Sequence, residues 1–235
     1  MIKGIFLAGR SMDSKFKSIE VIGNNLANVN TNGYKKSMPF TEVISQFNKV
    51  EIQQATNYKQ GSLVPTGNPL DLSVNGNAFF AIQGLDGMDF TRSGKFSISE
   101  DGFLINDQGK RVLGTNGPIN LNAYLLDKSQ SIKISKEGEI RVGNTYVDKL
   151  LLVKLDPSDK FIRKDGTSFA SADGRYYLAD DNDFQVNQGY LEESNVNPVD
   201  EMTNMIKFHN EYDSASKIVK YLDKSLSEAN EIGKV

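Results

Sequence analysis

A single histidine and no cysteine bound the chemistry open to this 235-residue chain. His209 alone builds no His-pair metal site and leaves no spare base for a Ser/His arrangement. Without cysteine there is no disulfide framework and no thiolate ligand. His209 falls between Ile206 and Tyr212, close to an apolar stripe at helical spacing, and reads as a packing or intersubunit residue. Asp180-Asp181-Asn182-Asp183 lacks the alternating ligand spacing of a calcium loop and reads as a solvated acidic turn. No Walker-type or dinucleotide fingerprint is present. What remains unusual is an amide cluster: Asn24, Asn25, Asn28, Asn30 and Asn32. Amides are recognition groups, each offering donors and an acceptor. Asn30 and Asn32 suit caps and turns, but Asn24, Asn25 and Asn28 lie inside a helical pattern, where Asn costs about 0.5 kcal/mol relative to Ala. Buried polar groups fix register between helices, so these three are expected to bond across helices of neighbouring subunits.

The elements that would carry these groups lie at the two ends. Ile5, Met12, Phe16, Ile19 and Leu26, with Ala8, Gly9 and Gly23 filling the gaps, mark one face of a helix of about seven turns. Asn30-Thr31-Asn32-Gly33 reads as its stop. At the other end Asn197 is a good cap, Pro198 suits the first helical position, and Asp200 and Glu201 favour the positive helix end. Met202, Ile206, Tyr212, Val219, Leu222 and Leu226 then form a stripe along a helix of about 50 Å. Neither helix has a core of its own, so each is expected to pack on the other or on a copy of it.

Between the ends the pattern changes. From Tyr34 to Asn57 periodicity is poor, and Phe40, Val43, Ile44 and Phe47 suggest a short helical turn. Leu70 to Val74 alternates like a half-buried strand, and Ala78 to Ile82 is a short apolar run. Asp86-Gly87, Asp101-Gly102, Gln108-Gly109, Glu137-Gly138, Gly143-Asn144, Asp165-Gly166 and Asp173-Gly174 are turn signals that separate further short strands. This is the pattern of an all-β domain. The expected fold is therefore α+β: long N- and C-terminal helices paired as a coiled coil, with an inserted all-β domain. The boundaries read as an N-terminal helix at 1–33, a connecting segment at 34–69, the β domain at 70–187 and the C-terminal helix at 188–235.

A net charge of −3 gives no general attraction to nucleic acid or anionic membrane. No apolar run is long enough to span a bilayer, so stable membrane insertion is not expected. The first ten residues are too short and too broken by Gly9, Arg10 and Asp13 for a cleaved signal peptide. No cofactor and no metal is expected.

Three stretches together carry a resemblance. They are Asn24-Asn25-Leu26-Ala27-Asn28-Val29-Asn30-Thr31-Asn32-Gly33-Tyr34-Lys35, the run Gln60 to Gly76 followed by Phe79-Phe80, and Gly189-Tyr190-Leu191-Glu192-Glu193-Ser194-Asn195-Val196-Asn197. In this order, and framing essentially the whole chain, they resemble the flagellar basal-body rod and hook family. The resemblance implies a structural subunit, not an enzyme. Its terminal helices would pack with copies and with other rod proteins around an export channel, and it would transmit torque. Export by the flagellar apparatus without a cleaved peptide, and a place in the periplasmic rod, are implied too. The short stretch from Tyr34 to Thr66 favours the proximal-rod member over the distal-rod member. The resemblance also places Asn30, Thr31, Gly33, Tyr34, Ser194, Asn195, Val196 and Asn197 with the helix stripes in an assembly interface. A different class, a β-domain cell-wall binding module or hydrolase dimerised by its helices, would need clustered acids in a cleft; the acids here are scattered in turns.

Overall fold

The computed structural model describes residues 2–44, 49–84, 87–124, 131–155 and 161–232. The chain divides into two compact units, one of residues 1–29, 36–58 and 196–235, the other of residues 30–35 and 59–195.

The first unit is built on α1 (Ile2–Ala27) and α2 (Pro198–Ile232), about 39 and 52 Å long at the standard rise. They run antiparallel. Gly4 lies against Leu222, Lys15 pairs with Glu211, and Asn25 bonds Glu201, with equal steps along the two helices in opposite directions. Asn197 caps α2 as its type suggests: its Oδ1 accepts the Val199 N–H at 3.0 Å. The end of α1 differs from the expectation. The helix stops at Ala27, where the Asn28 N–H donates to the Asn24 and Asn25 carbonyls and the Asn28 amide donates to the Asn24 carbonyl at 2.8 Å. Gly33, at φ 70°, does not cap the helix; it forms a later turn in the other unit.

The stretch expected to hold a short helical turn is instead a hairpin of β1 (Ser37–Ile44) and β2 (Lys49–Thr56), with Ser37 opposite Thr56 and Ile44 opposite Lys49. Its β-branched residues suit strands, and Pro39 is tolerated because a two-stranded sheet consists of edges. Phe47 lies outside the described residues. Both strands pack on α1. This second layer explains why Ser18, Val21, Ile22 and Asn25, spaced three, four and seven, are the buried positions of α1.

The second unit is rich in β-strands and carries a short 3-10 helix, Asn122–Tyr124. Its largest sheet has six strands in the order Phe161–Arg163, Ser168–Ser171, Met88–Thr91, Ala78–Gln83, Leu152–Lys154, Tyr177–Leu178. Ala78, Phe80 and Ile82 face a core with Leu72, Val74, Phe96, Leu104, Val112, Ile140 and Val186. Phe79 and Phe90, also buried, lie on the opposite face by alternation, Phe79 edge-on to Phe169 at 6.1 Å. Covering on both sides explains why Ala78 to Ile82 is continuously apolar. Strand Leu72–Gly76 also corrects the half-buried expectation, since Leu72, Ser73 and Val74 are all buried. The turn signals hold: Gly87, Gly102, Gly109, Gly138, Gly143, Gly166 and Gly174 all have positive φ. Asp86 lies outside the described residues. Strand Phe184–Gln188 pairs with Leu72–Gly76, and Tyr190–Glu192 pairs with Leu63–Pro65, so the end of this unit closes on its beginning.

Candidate functional site: the helix pair and two buried carboxylates

The first unit is organised at the start of α2 around Glu201, which is 1% exposed. Its Oε2 accepts the Asn25 amide at 2.9 Å, and its Oε1 pairs with Lys36 Nζ at 2.5 Å. The Asn25 amide also donates to the Ser37 carbonyl at 2.8 Å, while its Oδ1 accepts the Ser37 N–H at 2.9 Å. One side chain therefore joins α1, β1 and α2. These bonds are made within the chain. Asn28 is likewise spent on the end of its own helix, and Asn24 is exposed.

Burying Glu201 sets the phase of α2. The helix then turns Met205, Phe208, Tyr212, Ala215, Val219, Leu222 and Leu226 inward, all at least partly buried, at alternating spacings of four and three. Met202 and Ile206, expected in this stripe, are 51% and 63% exposed. On α1 the matching series is Ile5, Ala8, Met12, Lys15, Ile19, Ile22 and Leu26, with Ile22 buried and the others partly so. Lys15 reaches across to Glu211 at 2.5 Å, and its ammonium lies 5.0 Å from the centre of the Phe208 ring. That contact holds the exposed Glu211 carboxyl below the ordinary glutamate range.

Outside these contacts the helices keep exposed apolar side chains. On α1 they are Phe6, Leu7 and Phe16; on α2 they are Val199, Met202, Ile206, Ile218 and Tyr221, the last 74% exposed. Val199, Met202 and Ile206 fall three and four residues apart and make one strip. His209 continues it, exposed beside Asp213 at 3.7 Å.

The second unit holds the remaining signature residues. Gly33 and Tyr34 are buried, Tyr34 under the Arg163 guanidinium, whose carbon is 4.7 Å from the ring centre. Lys35 and Arg92 are buried charges, and both pair with Glu192, at 2.6 and 3.0 Å. Asn195 donates its N–H to the Tyr34 carbonyl and its amide to the Lys59 carbonyl. Thr31, Ser194 and Asn195 are half-buried, Asn30 and Asn197 exposed; Val196, in the first unit, is buried. Gly33, Tyr34 and Val196 thus pack within the chain. Desolvation of the Lys35 ammonium is the main effect on it and, with repulsion from Arg92, draws its pKa below the ordinary lysine range against the pull of Glu192. Sequence reasoning missed Arg92 and Glu192 as a pair because nothing in local spacing links them. Asp181 and Asp183 of the acidic turn are exposed and pair with Lys149 and Lys154.

Three family descriptions match successive parts of the chain. Residues 17–35 match "Flagella basal body rod protein", residues 73–142 "Flagellar hook protein FlgE/F/G D1 domain", and residues 187–232 "Flagellar basal body rod FlgEFG protein C-terminal". The chain is 31% identical to the flagellar basal-body rod protein FlgF of Mesorhizobium japonicum, over 91% of this chain and 90% of that one. It is 30% identical to FlgF of Rhizobium meliloti over 98% of both. It is 29% identical to the rod protein FlgG of Agrobacterium fabrum over 96% of this chain and 97% of that one. The residues that cap α2, close the turn at Gly33 and pair as Lys35 with Glu192 all lie in these matched stretches, and the chain belongs to the flagellar basal-body rod protein family.

Proposed function

We propose that this chain is a structural subunit of the bacterial flagellar rod, of the proximal-rod kind, and that it assembles with copies of itself and with other rod proteins through the outward faces of α1 and α2. The carrying observation is the set of exposed apolar side chains on that helix pair. Phe6, Leu7, Phe16, Val199, Met202, Ile206, Ile218 and Tyr221 are each more than half exposed, and large apolar strips mark interaction surfaces. The inward series of α1 and α2, at alternating three- and four-residue spacings, support pairing as a two-stranded coiled coil. Similarity to FlgF, together with the short stretch from Tyr34 to Thr66, supports the proximal position. The role is mechanical, transmission of torque around an export passage. Delivery is by the flagellar export apparatus without a cleaved peptide, to the periplasmic rod. No described helix is long and apolar enough to cross a membrane.

The test is a strain lacking the chain, with its basal bodies imaged by electron microscopy. A truncated rod without hook and filament, restored by the intact gene, is the expected result. A complete rod and normal swimming refute the reading.

A further inference from the structure

In the β unit the side chains of Lys35 and Glu192 are fully buried and that of Arg92 is 1% exposed. Two cations thus share one carboxylate. Glu192 Oε1 accepts Lys35 Nζ at 2.6 Å and the Gly61 N–H at 2.9 Å; Oε2 accepts Arg92 at 3.0 Å. Its backbone carbonyl accepts the Gly33 N–H at 2.7 Å. Lys35 spends a further bond on the Lys59 carbonyl, and Arg92 donates to the Val74 and Gly76 carbonyls while its Nε has no partner among the described residues. Glu192 comes from the last strand of the unit, Tyr190–Glu192, whose partner Leu63–Pro65 lies far away in sequence. Burying an ammonium and a guanidinium without their carboxylate is strongly unfavourable.

We propose that Glu192 is a C-terminal latch: the β unit cannot close around Lys35 and Arg92 until strand Tyr190–Glu192 docks, so no stable form of the unit exists with that strand detached. A three-residue strand near the end of a unit ordinarily frays on its own; this one is tied to the interior by charge. The latch leaves the β unit open until its C-terminal strand is available, as suits a subunit that reaches its place through an export passage. That use rests on the rod-subunit reading; the latch itself is a property of the chain.

Native-state hydrogen exchange of the full-length protein tests it. The Gly33, Gly61 and Glu193 amides report the latch, and the Ala81 and Leu151 amides report the core. Protection factors agreeing within about tenfold are expected for one cooperative unit. Latch amides less protected than the core by more than that overturn the proposal. Glu192→Gln gives the second arm: loss of protection at Ala81 and Leu151 is expected, and wild-type protection there overturns it. A strain that builds a complete rod without this chain ends the rod reading and leaves these exchange results untouched.

Discussion

Replacing Asn25 with Ala isolates the side chain that joins three elements of the helical unit. The substitution removes three hydrogen bonds at a site with no solvent exposure: two to the Ser37 backbone and one to the Glu201 carboxylate. Each neutral bond contributes about 1 kcal/mol, and a bond to a charged group about 2 kcal/mol. The buried Ser37 N–H and carbonyl are left unsatisfied, while Glu201 keeps Lys36 at 2.5 Å. Against this, Ala gains about 0.5 kcal/mol over Asn in a helix. The expected net loss is therefore about 3–4 kcal/mol of the helical unit's stability. Urea unfolding followed by circular dichroism at the helical minimum reads it, since the two long helices dominate that signal. Asn25→Asp is expected to cost at least as much, because it sets a second carboxylate against Glu201. A loss below about 1 kcal/mol for Asn25→Ala would refute the reasoning, showing that the buried amide does not hold the hairpin and α2 to α1.

Gly33→Ala places a Cβ 2.3 Å from the Ser93 nitrogen at a φ of 70°, and is expected to lower the urea midpoint of the β unit sharply; an unchanged midpoint contradicts the turn geometry. Phe16→Asp and Ile206→Asp alter exposed positions and are expected to change stability by no more than about 0.5 kcal/mol, yet abolish incorporation into the rod. Normal swimming by both variants contradicts the proposed surface. The folded-state pKa of Lys35 lies below its ordinary value of 10.5, so the unfolded chain binds the extra proton between those two points. Stability of the β unit therefore rises with pH through that window, and Lys35→Met should remove the rise. Lys110, bridging Asp165 and Asp89, is shifted upward by those hydrogen bonds despite partial desolvation. Its contribution is complete below 10.5 and lost as pH rises through its folded value, so the urea midpoint should fall beyond that point, and less so in Lys110→Met.

The sequence was most readable where one residue type has one local use. Asn197-Pro198 opens α2 because cap and first-turn geometry are decided within a few residues. The turn glycines mark strand ends because positive φ is a local demand. The inner face of α2 was harder to read, since its phase is set by Glu201, a charged residue that counts as surface in any apolar pattern. Only partners far away in sequence, Asn25 and Lys36, make that burial favourable. The hairpin Ser37–Ile44/Lys49–Thr56 was missed for a related reason. Its strands are stabilised by packing on α1, so their own sequence carries little alternation. The Lys35–Glu192–Arg92 cluster depends on contacts between three distant segments, which composition and spacing do not record.

The division of the chain has a mechanical consequence. The backbone passes between the two units four times, after residues 29, 35, 58 and 195. A single tether relaxes an applied twist by rotation about a few bonds, as flexible linkers do. Four passages of the chain divide a load that a single one would carry alone. Anchors inside each unit stand beside two of these passages: Lys35 on Glu192 before one and Lys36 on Glu201 after it, with the same two glutamates flanking the passage after residue 195. Tension on that part of the backbone therefore meets an ion pair inside each unit, Lys35 on Glu192 or Lys36 on Glu201, before it reaches the apolar packing of that unit.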